Sequence, residues 1–293
     1  MTPPSIVVKL TMYQKEEKWL LEEKYKGEKS KGFFTDLNAL QSGTPLAYLI
    51  GSIPFLGCTI YLDSHPLIPR TETEFWTEKA IIKIRHNLRG LTPNSEELGV
   101  KPLRILDLCA GSGAIGVSVA KTIPESQVDF AEIDPLHLPT IQKNIINNLP
   151  ENSNSSSSRF RLELESKYTV FLANLFTSAE VRKASSRRNL ELGKYDFILT
   201  NPPYIDPKID RIEASVRLHE PALALYGGTN GMECIQKIIE QAHRHLTKNG
   251  QLWIEHEPEQ SVGIQRLAKA HSFTCTTHND QYDIERYSIL MLQ

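Results

Sequence analysis

The sequence predicts an α/β fold with a parallel central sheet, preceded by a small helical unit and a β-hairpin. From Leu103 onward, apolar strand-like runs alternate with helical runs, which is typical of a parallel sheet covered by helices on both faces. Residues 11–40 show apolar positions at helical spacing, and two strand-like runs meet at the turn Pro54–Gly57. With 293 residues, the chain has room for one full α/β domain and a small accessory unit.

Composition changes along the chain predict three segments. We expect a helical domain at residues 1–45, a β-hairpin and helical linker at 46–100, and the α/β domain at 101–293. Two stretches at 151–158 and 178–194 are rich in polar residues, so we expect them to widen surface loops rather than to pack in the core.

The linker is predicted to contain two strands and a helix. The strand-like runs are Ala47–Ile53 and Cys58–Leu62. Thr71 is expected to cap a helix over Glu72–Leu88, with Glu74 completing a capping box at the third helical position. These elements would connect the helical domain to the sheet.

Net charge and cysteine spacing exclude several functional classes. The formal net charge of −2 gives no overall positive field for nucleic acid phosphates, so we expect no stable nucleic acid binding. The four cysteines lack CxxC spacing, so the sequence predicts reduced thiols, without a disulfide framework or a metal site, at Cys58, Cys109, Cys234 and Cys275. No run reaches the roughly 18 apolar residues of a membrane span. We therefore expect no membrane contact, and we expect a monomer.

The turn after the first strand of the predicted sheet is built from small residues. Glycines there let a ligand approach the backbone and the helix N-terminus. A dinucleotide-binding fold uses a similar turn, but the carboxylate of Asp107 would repel phosphates, so the sequence favours S-adenosylmethionine. The competing interpretation is a tight structural turn without a ligand. The predicted cofactor-binding residues of this turn are Asp107, Cys109, Ala110, Gly111, Ser112 and Gly113.

Acidic and amide side chains follow the next two strands. Glu132 and Asp134 end the second strand, where a carboxylate can accept hydrogen bonds from the ribose hydroxyls of an adenosyl cofactor. One of the two is also consistent with a solvated strand end. Asn174 and Leu175 follow the third strand, where the amide would bind the base and the leucine would cover its face. The alternative for this pair is an ordinary loop.

The four residues Asn201, Pro202, Pro203 and Tyr204 follow the fourth strand and say most about the reaction. Two prolines fix the backbone φ and remove two N–H donors, which leaves carbonyls to accept hydrogen bonds. An amide or aromatic-amine nitrogen is a weak nucleophile because its lone pair is conjugated. The side-chain oxygen of Asn201 and the carbonyl of Pro202 would orient it by accepting its two N–H groups, and Tyr204 would offer an aromatic face. The alternative for these residues is a structural β-turn.

The order of these motifs resembles the HemK/PrmC family of glutamine methyltransferases. The NPPY motif also occurs in adenine-N6 and other nucleic acid amino-methyltransferases, so it leaves the substrate open. The upstream linker distinguishes the two classes, and the similarity covers about residues 43–293. Its motifs are Gly43–Gly51, Leu67–Glu74, Asp107–Gly116, Asn201–Ile205, His219–Leu225, Gly231–Met232 and Asp283–Arg286.

The resemblance implies a seven-stranded, Rossmann-like class I methyltransferase that depends on S-adenosylmethionine. It further implies methylation at N5 of the glutamine in the Gly-Gly-Gln motif of a peptide chain release factor, the protein partner. By the same resemblance, the cofactor is lined by Cys109–Gly113, Asp134 and Leu175, and the glutamine is bound by Asn201–Tyr204.

The chain departs from the family pattern at several places. The departures are Cys109 in place of glycine, Thr71 in place of proline, and Asn174 and Leu175 in place of an aspartate and an aromatic residue. Arg70 is expected either to orient the substrate or to pair with Glu72 or Glu74. Few residues precede Gly43, so we expect a reduced helical platform for the release factor.

Two other functions compete with this interpretation. One is a nucleic acid adenine methyltransferase, and the other is a degenerate cofactor-binding module that acts as a scaffold. An intact NPPY loop argues against the scaffold, and a small planar amide suits an acidic protein better than a flipped base. The serine-rich insertions suggest a eukaryotic source and the bacterial-type linker an organellar release factor. We therefore expect a mitochondrial location, with the cytoplasm as the alternative.

Overall fold

The computed structural model describes five stretches of the chain, residues 13–89, 102–149, 167–177, 194–209 and 212–292. The predicted polar insertion at 151–158 and all but the last residue of the stretch 178–194 lie outside these described residues.

The N-terminal segment is helical, as the spacing of its apolar residues predicts. Residues 13–19 form an α-helix that continues into a π-helical turn, Leu20–Lys24, and helix α1 follows at Lys31–Gln41. Ser30 caps α1 because its hydroxyl oxygen accepts the N–H of Phe33 at 3.3 Å. The small core of this segment consists of Leu20, Phe33 and Leu40.

The β-hairpin of the linker is confirmed, but its first strand is shorter than predicted. Strands β1 (Ser52–Phe55) and β2 (Cys58–Tyr61) pair antiparallel. The prediction of a strand over Ala47–Ile53 is wrong, because a short helix α2 occupies Leu46–Ile50. Gly51, with φ of +88°, ends that helix in the left-handed conformation that glycine adopts readily. A five-residue apolar run has no periodicity that separates the two structures.

Helix α3 (Thr71–Arg89) follows the hairpin, but the predicted capping box is wrong. The hydroxyl of Thr71 donates to the carboxylate of Glu72 at 3.0 Å. The carboxylate of Glu74 instead accepts the N–H of Leu56 at 2.7 Å. This side chain therefore connects the helix to the hairpin turn rather than to its own first turn.

The predicted parallel sheet is the centre of the molecule. Its seven strands are β3 (Arg104–Leu108), β4 (Gln127–Glu132), β5 (Tyr168–Leu172), β6 (Tyr195–Thr200), β7 (Leu246–Glu255), β8 (Phe273–Asn279) and β9 (Glu285–Leu292). Their spatial order is β5-β4-β3-β6-β7-β9-β8. Neighbours from β5 to β7 are parallel, and β9 runs antiparallel to both of its neighbours.

Helices cover both faces of the sheet, so its inner strands are rich in buried apolar residues. The described α-helices after β3 are α4 (Ala114–Thr122), α5 (Leu138–Asn148), α6 (Ala214–His219), α7 (Ala222–Leu225), α8 (Glu233–Ala242) and α9 (Ser261–Ala270). One buried cluster joins α3, α4, α5 and the hairpin to the sheet, and a second joins α8 and α9 to it. None of the described helices combines the length and hydropathy of a membrane span.

Candidate active site

A cavity of about 410 Å³ lies at the carboxyl ends of the parallel strands. This is the edge at which open α/β sheets bind their ligands, because loops from several strands meet there. The segments after β3, β4, β5 and β6 contribute Cys109–Ser112, Glu132–Asp134, Ala173–Leu175, and Asn201 with Pro203. Residues of the predicted cofactor site and residues of the predicted substrate site therefore line one cavity.

The turn after β3 has a backbone that only small residues adopt without strain. Gly111 and Gly113 have φ of +56° and +78°, and Cys109 has φ of +61°, which is unusual for a residue with a side chain. A Cβ on Gly116 would lie 2.3 Å from the ring of Phe130. Glycine at that position therefore allows α4 to pack closely against the sheet and to begin at the cavity.

Asp107 is fully buried below this turn and, like Gly113, is not among the cavity-lining residues of the described chain. Its Oδ2 accepts the N–H of Gly116 at 2.8 Å, and its Oδ1 has no partner among the described residues. Burial raises the pKa of Asp107 well above its usual range, and the nearby Glu132 adds to this. The carboxyl of Asp107 therefore binds a proton more tightly in the folded state than in the unfolded chain. The contribution of Asp107 to the free energy of unfolding falls as the pH rises from the ordinary aspartate range to the folded pKa.

Glu132 and Asp134 both line the cavity, but they differ in what they bind. The Oε2 of Glu132 accepts the N–H of Gly111 at 2.7 Å, and its Oε1 accepts those of Ile133 and Asp134 at 2.8 and 2.9 Å. The Oδ1 of Asp134 accepts the N–H of Leu136 at 2.9 Å. A carboxylate offers about four acceptor positions, so Glu132 retains roughly one for a ligand. The structure thus places a fixed Glu132 carboxylate beside Asp134. The family resemblance favours Asp134 as the cofactor ligand.

The described residues fit an adenosyl cofactor. Asn174 and Leu175 line the cavity next to the two carboxylates, and the buried Leu175 has φ of +51°. Glu132 and Asp134 offer acceptors for ribose hydroxyls, and Leu175 offers an apolar surface for a flat base. A role of Asp107 in cofactor binding stays a prediction, because this residue is buried outside the described cavity lining. S-Adenosylmethionine contains both a ribose and a flat base.

Asn201 lines the cavity directly after β6, and its side chain is bound by Thr73, which lines the same cavity. Its Nδ2 donates to Oγ1 of Thr73 in α3 at 3.2 Å. The other atom of the amide, Oδ1, is not used in this bond and is available to accept an N–H from a ligand. This is the orientation that the predicted role of Asn201 requires.

The remaining residues of the NPPY motif differ in whether they line the cavity. Pro203 lines the cavity, whereas the buried Pro202 and the partly buried Tyr204 are absent from its described lining. The hydroxyl of Tyr204 donates to Oε1 of Glu255 at 2.9 Å, and the aromatic face that Tyr204 would offer to a substrate stays a prediction. Burial and the Glu255 carboxylate raise the pKa of Tyr204, which keeps it a donor. The acceptor role of the Pro202 carbonyl stays a prediction.

The NPPY loop is clamped by residues that follow it in the sequence. A Cβ on Gly227 would lie 2.4 Å from the carbonyl oxygen of Pro203, and one on Gly231 would lie 1.8 Å from that of Tyr204. Gln260 donates from Nε2 to the same Tyr204 carbonyl at 2.7 Å. Close backbone packing of this kind holds a loop in one conformation before a ligand binds.

Arg70 forms a long-range ion pair rather than either of the predicted local ones. Its guanidinium lies 2.5 Å from Oε1 of Glu220, and Oε2 of Glu220 accepts the N–H of Ile68 at 3.1 Å. Pairing with Glu72 or Glu74 is therefore wrong. Arg70 is also not among the described residues that line the cavity, so its role in binding substrate stays a prediction.

Three residues that surround Asn201 and the NPPY loop do not emerge from the sequence analysis, namely Thr73, Glu255 and Gln260. Thr73 lies within the linker motif that carries the family resemblance. Glu255 ends an otherwise apolar strand, and an acidic residue at such a strand end is a signal that could have marked it. Gln260 gives no signal in the sequence, because its partner carbonyl is 56 residues away.

Comparisons with known proteins agree with the fold. No protein-family model matches the chain. A release factor glutamine methyltransferase of Borreliella burgdorferi is 30% identical over 260 residues, which cover 88% of this chain and 76% of the relative. One from Bifidobacterium longum is 32% identical over 246 residues, covering 83% and 74%. The N-terminal domain of human METTL16 in complex with SAH aligns with a TM-score of 0.52 at 15% identity over 94% of both chains.

The structural likeness and the sequence identity together define the class of the protein. The strand order, the glycine-rich turn after β3 and the cavity at the strand ends are those of a class I methyltransferase fold. The identity to the two bacterial relatives extends over most of each chain. This chain therefore belongs to the family of release factor glutamine methyltransferases.

Proposed function

We propose that this protein transfers a methyl group from S-adenosylmethionine to the side-chain amide nitrogen, N5, of the glutamine in the Gly-Gly-Gln motif of a release factor. The observation that carries the proposal is Asn201, whose NH2 group is bound to Thr73 and whose oxygen is available at the cavity. The names of the bacterial relatives support the same substrate.

The reaction requires the chain to orient a poor nucleophile. The nitrogen of an amide has little free electron density, so its lone pair has to be directed at the carbon that it attacks. Asn201 Oδ1 accepts one N–H of the glutamine, and the Pro202 carbonyl accepts the other. S-Adenosylmethionine, when bound, supplies a methyl group made electrophilic by its sulfonium. The two fixed acceptors stabilise positive charge that develops on the nitrogen, and a proton leaves afterwards to solvent.

The cofactor would be held by other residues of the cavity lining. Glu132 and Asp134 accept hydrogen bonds from its ribose, Asn174 binds its base, and Leu175 covers the base. The small residues Cys109–Ser112 leave room for its amino-acid part. This arrangement puts the cofactor site and Asn201 in one continuous space.

Mass spectrometry of a release factor tests the proposal. The purified protein is incubated with S-adenosylmethionine and either a purified bacterial release factor or DNA and RNA. The Gly-Gly-Gln peptide should gain one methyl group on its glutamine, and Asn201→Ala should abolish the gain. Methyl groups in nucleic acid alone would instead support an adenine methyltransferase. Cofactor binding without any methyl transfer would support a scaffold.

We further propose that the protein acts as a monomer in mitochondria, on an organellar release factor. The proposal is supported by the bacterial origin of the two relatives and by the polar insertions of this chain. A fluorescent fusion of the full chain should colocalise with a mitochondrial marker. A diffuse cytoplasmic signal would contradict this location and leave the proposed reaction unaffected.

A further inference from the structure

The amide of Asn201 poses a problem of orientation. The oxygen and the NH2 group of an asparagine have nearly the same shape, so packing alone does not decide which of them faces the cavity. An NH2 group facing the cavity would oppose the N–H groups of a glutamine, because both would be donors. A hydrogen-bond partner has to make the choice.

Thr73 has the hydrogen-bonding pattern that makes this choice. The residue is 3% exposed, its hydroxyl donates to Oε2 of Glu255 at 2.8 Å, and its oxygen receives Nδ2 of Asn201 at 3.2 Å. A hydroxyl has only one proton, and here that proton is used toward Glu255. The side of Thr73 that faces Asn201 is therefore an acceptor, which binds NH2 and rejects the amide oxygen.

Glu255 keeps the Thr73 hydroxyl a donor toward Glu255 and an acceptor toward Asn201. Its side chain is 1% exposed, and Oε2 also accepts the indole N–H of Trp76 at 2.6 Å. An indole nitrogen only donates, so Oε2 stays an acceptor. Oε1 accepts the hydroxyl of Tyr204 at 2.9 Å.

We propose that Thr73 and Glu255 are positioning residues that fix Asn201 with its oxygen toward the substrate. The chain of donors runs from Asn201 through Thr73 to Glu255, and we call these three residues the amide relay. This inference rests on the proposed function, because it explains how Asn201 is prepared for the N–H of a glutamine. Thr73 and Glu255 lie 182 residues apart in the sequence, so the relay exists only in the folded protein.

Replacing Thr73 by valine tests the relay with little change in shape. Valine presents a methyl group to Asn201, so the NH2 group loses its partner and both orientations of the amide become accessible. We expect kcat for release factor methylation to fall roughly 10- to 100-fold, which is the effect of a misplaced catalytic group. The affinity for S-adenosylmethionine, measured by calorimetry, should stay at the wild-type value. Thr73→Ser retains the hydroxyl and should recover most of the lost kcat.

Thr77→Val provides a matched control. Thr77 is fully buried one turn further along α3, and its hydroxyl oxygen has no partner among the described residues. The same substitution there should leave kcat unchanged and should not lower the melting temperature. Equal losses of kcat in Thr73→Val and Thr77→Val would overturn the relay, because they would report a general disturbance of the helix.

The double variant Thr73→Val with Asn201→Ala gives a second criterion. Without the Asn201 amide, loss of the Thr73 hydroxyl should cost no further kcat. Multiplied effects of the two substitutions would overturn the relay, as would a Thr73→Val protein with wild-type kcat. A wild-type protein that methylates no release factor would overturn the proposed function and the relay with it. If the wild-type protein is active, failure of the relay can be recognised separately from failure of the proposed function.

Discussion

Gly231→Ala is the substitution that most clearly separates backbone packing at the NPPY loop from ordinary glycine strain. A Cβ at this position would lie 1.8 Å from the carbonyl oxygen of Tyr204 and 2.3 Å from Nε2 of Gln260, whereas real Cβ atoms essentially never lie closer than 3.0 Å. The loop or Gly231 therefore has to move by about 1 Å, because packed interiors do not absorb such an overlap.

Gly231→Ala should lower both stability and kcat, and the two causes are backbone strain at this position and collision with the loop. The φ of Gly231 is +67°, and a left-handed conformation costs alanine on the order of 1 kcal/mol in the free energy of unfolding. The collision adds to this loss. A shift of about 1 Å in a substrate-positioning loop lowers kcat by roughly 100-fold.

Gly57→Ala is the control for the first cause alone. Gly57 has φ of +74° in the hairpin turn, and an added Cβ would meet nothing within 4 Å. Both variants are compared by thermal melting and by methylation of a release factor. Gly57→Ala should lose stability and keep kcat, whereas Gly231→Ala should lose both. Equal kcat in the two variants would refute the argument that packing against Tyr204 sets the loop.

Four further substitutions test the cavity and the strand beneath it. Asn201→Ala should lower kcat by about 10²- to 10³-fold while calorimetry shows unchanged cofactor affinity; wild-type kcat would remove its role. Asp107→Asn should raise the melting temperature, by more at about pH 8 than at about pH 5, because the wild type bears an increasing cost of buried charge as the pH rises. A gain that shrinks with pH would contradict the raised pKa of Asp107. Glu132→Gln should weaken cofactor binding more than Asp134→Asn does, since it also disturbs the bond to Gly111; the reverse order in calorimetry would favour Asp134 as the main ligand.

The central sheet could be predicted because its signal is local. Strand β3 contains Ile105, Leu106 and Leu108, all fully buried, as a parallel strand covered on both faces requires. The carboxyl ends of such strands meet at one edge, so the convergence of Cys109, Asp134 and Asn201 could be predicted from strand positions alone. The helix Leu46–Ile50 could not, because five apolar residues are equally consistent with a strand.

The contacts that orient the site could not be predicted, because they are tertiary. Arg70 has two glutamates nearby in the sequence, yet it pairs with Glu220, 150 residues away. The hydroxyl of Tyr204 bonds to Glu255, 51 residues away, and no pattern near Tyr204 in the sequence indicates this partner. Spacing along one segment gives the type of chemistry, and the partners of each side chain come from elements that the pattern does not connect.

A crystal structure of the protein with S-adenosylhomocysteine and a Gly-Gly-Gln peptide tests the central claim most directly. The side-chain nitrogen of the peptide's glutamine should lie within about 3 Å of Oδ1 of Asn201, with Nδ2 of Asn201 still on Thr73. An asparagine that turns its NH2 group to the glutamine, or a glutamine bound away from Asn201, would contradict it.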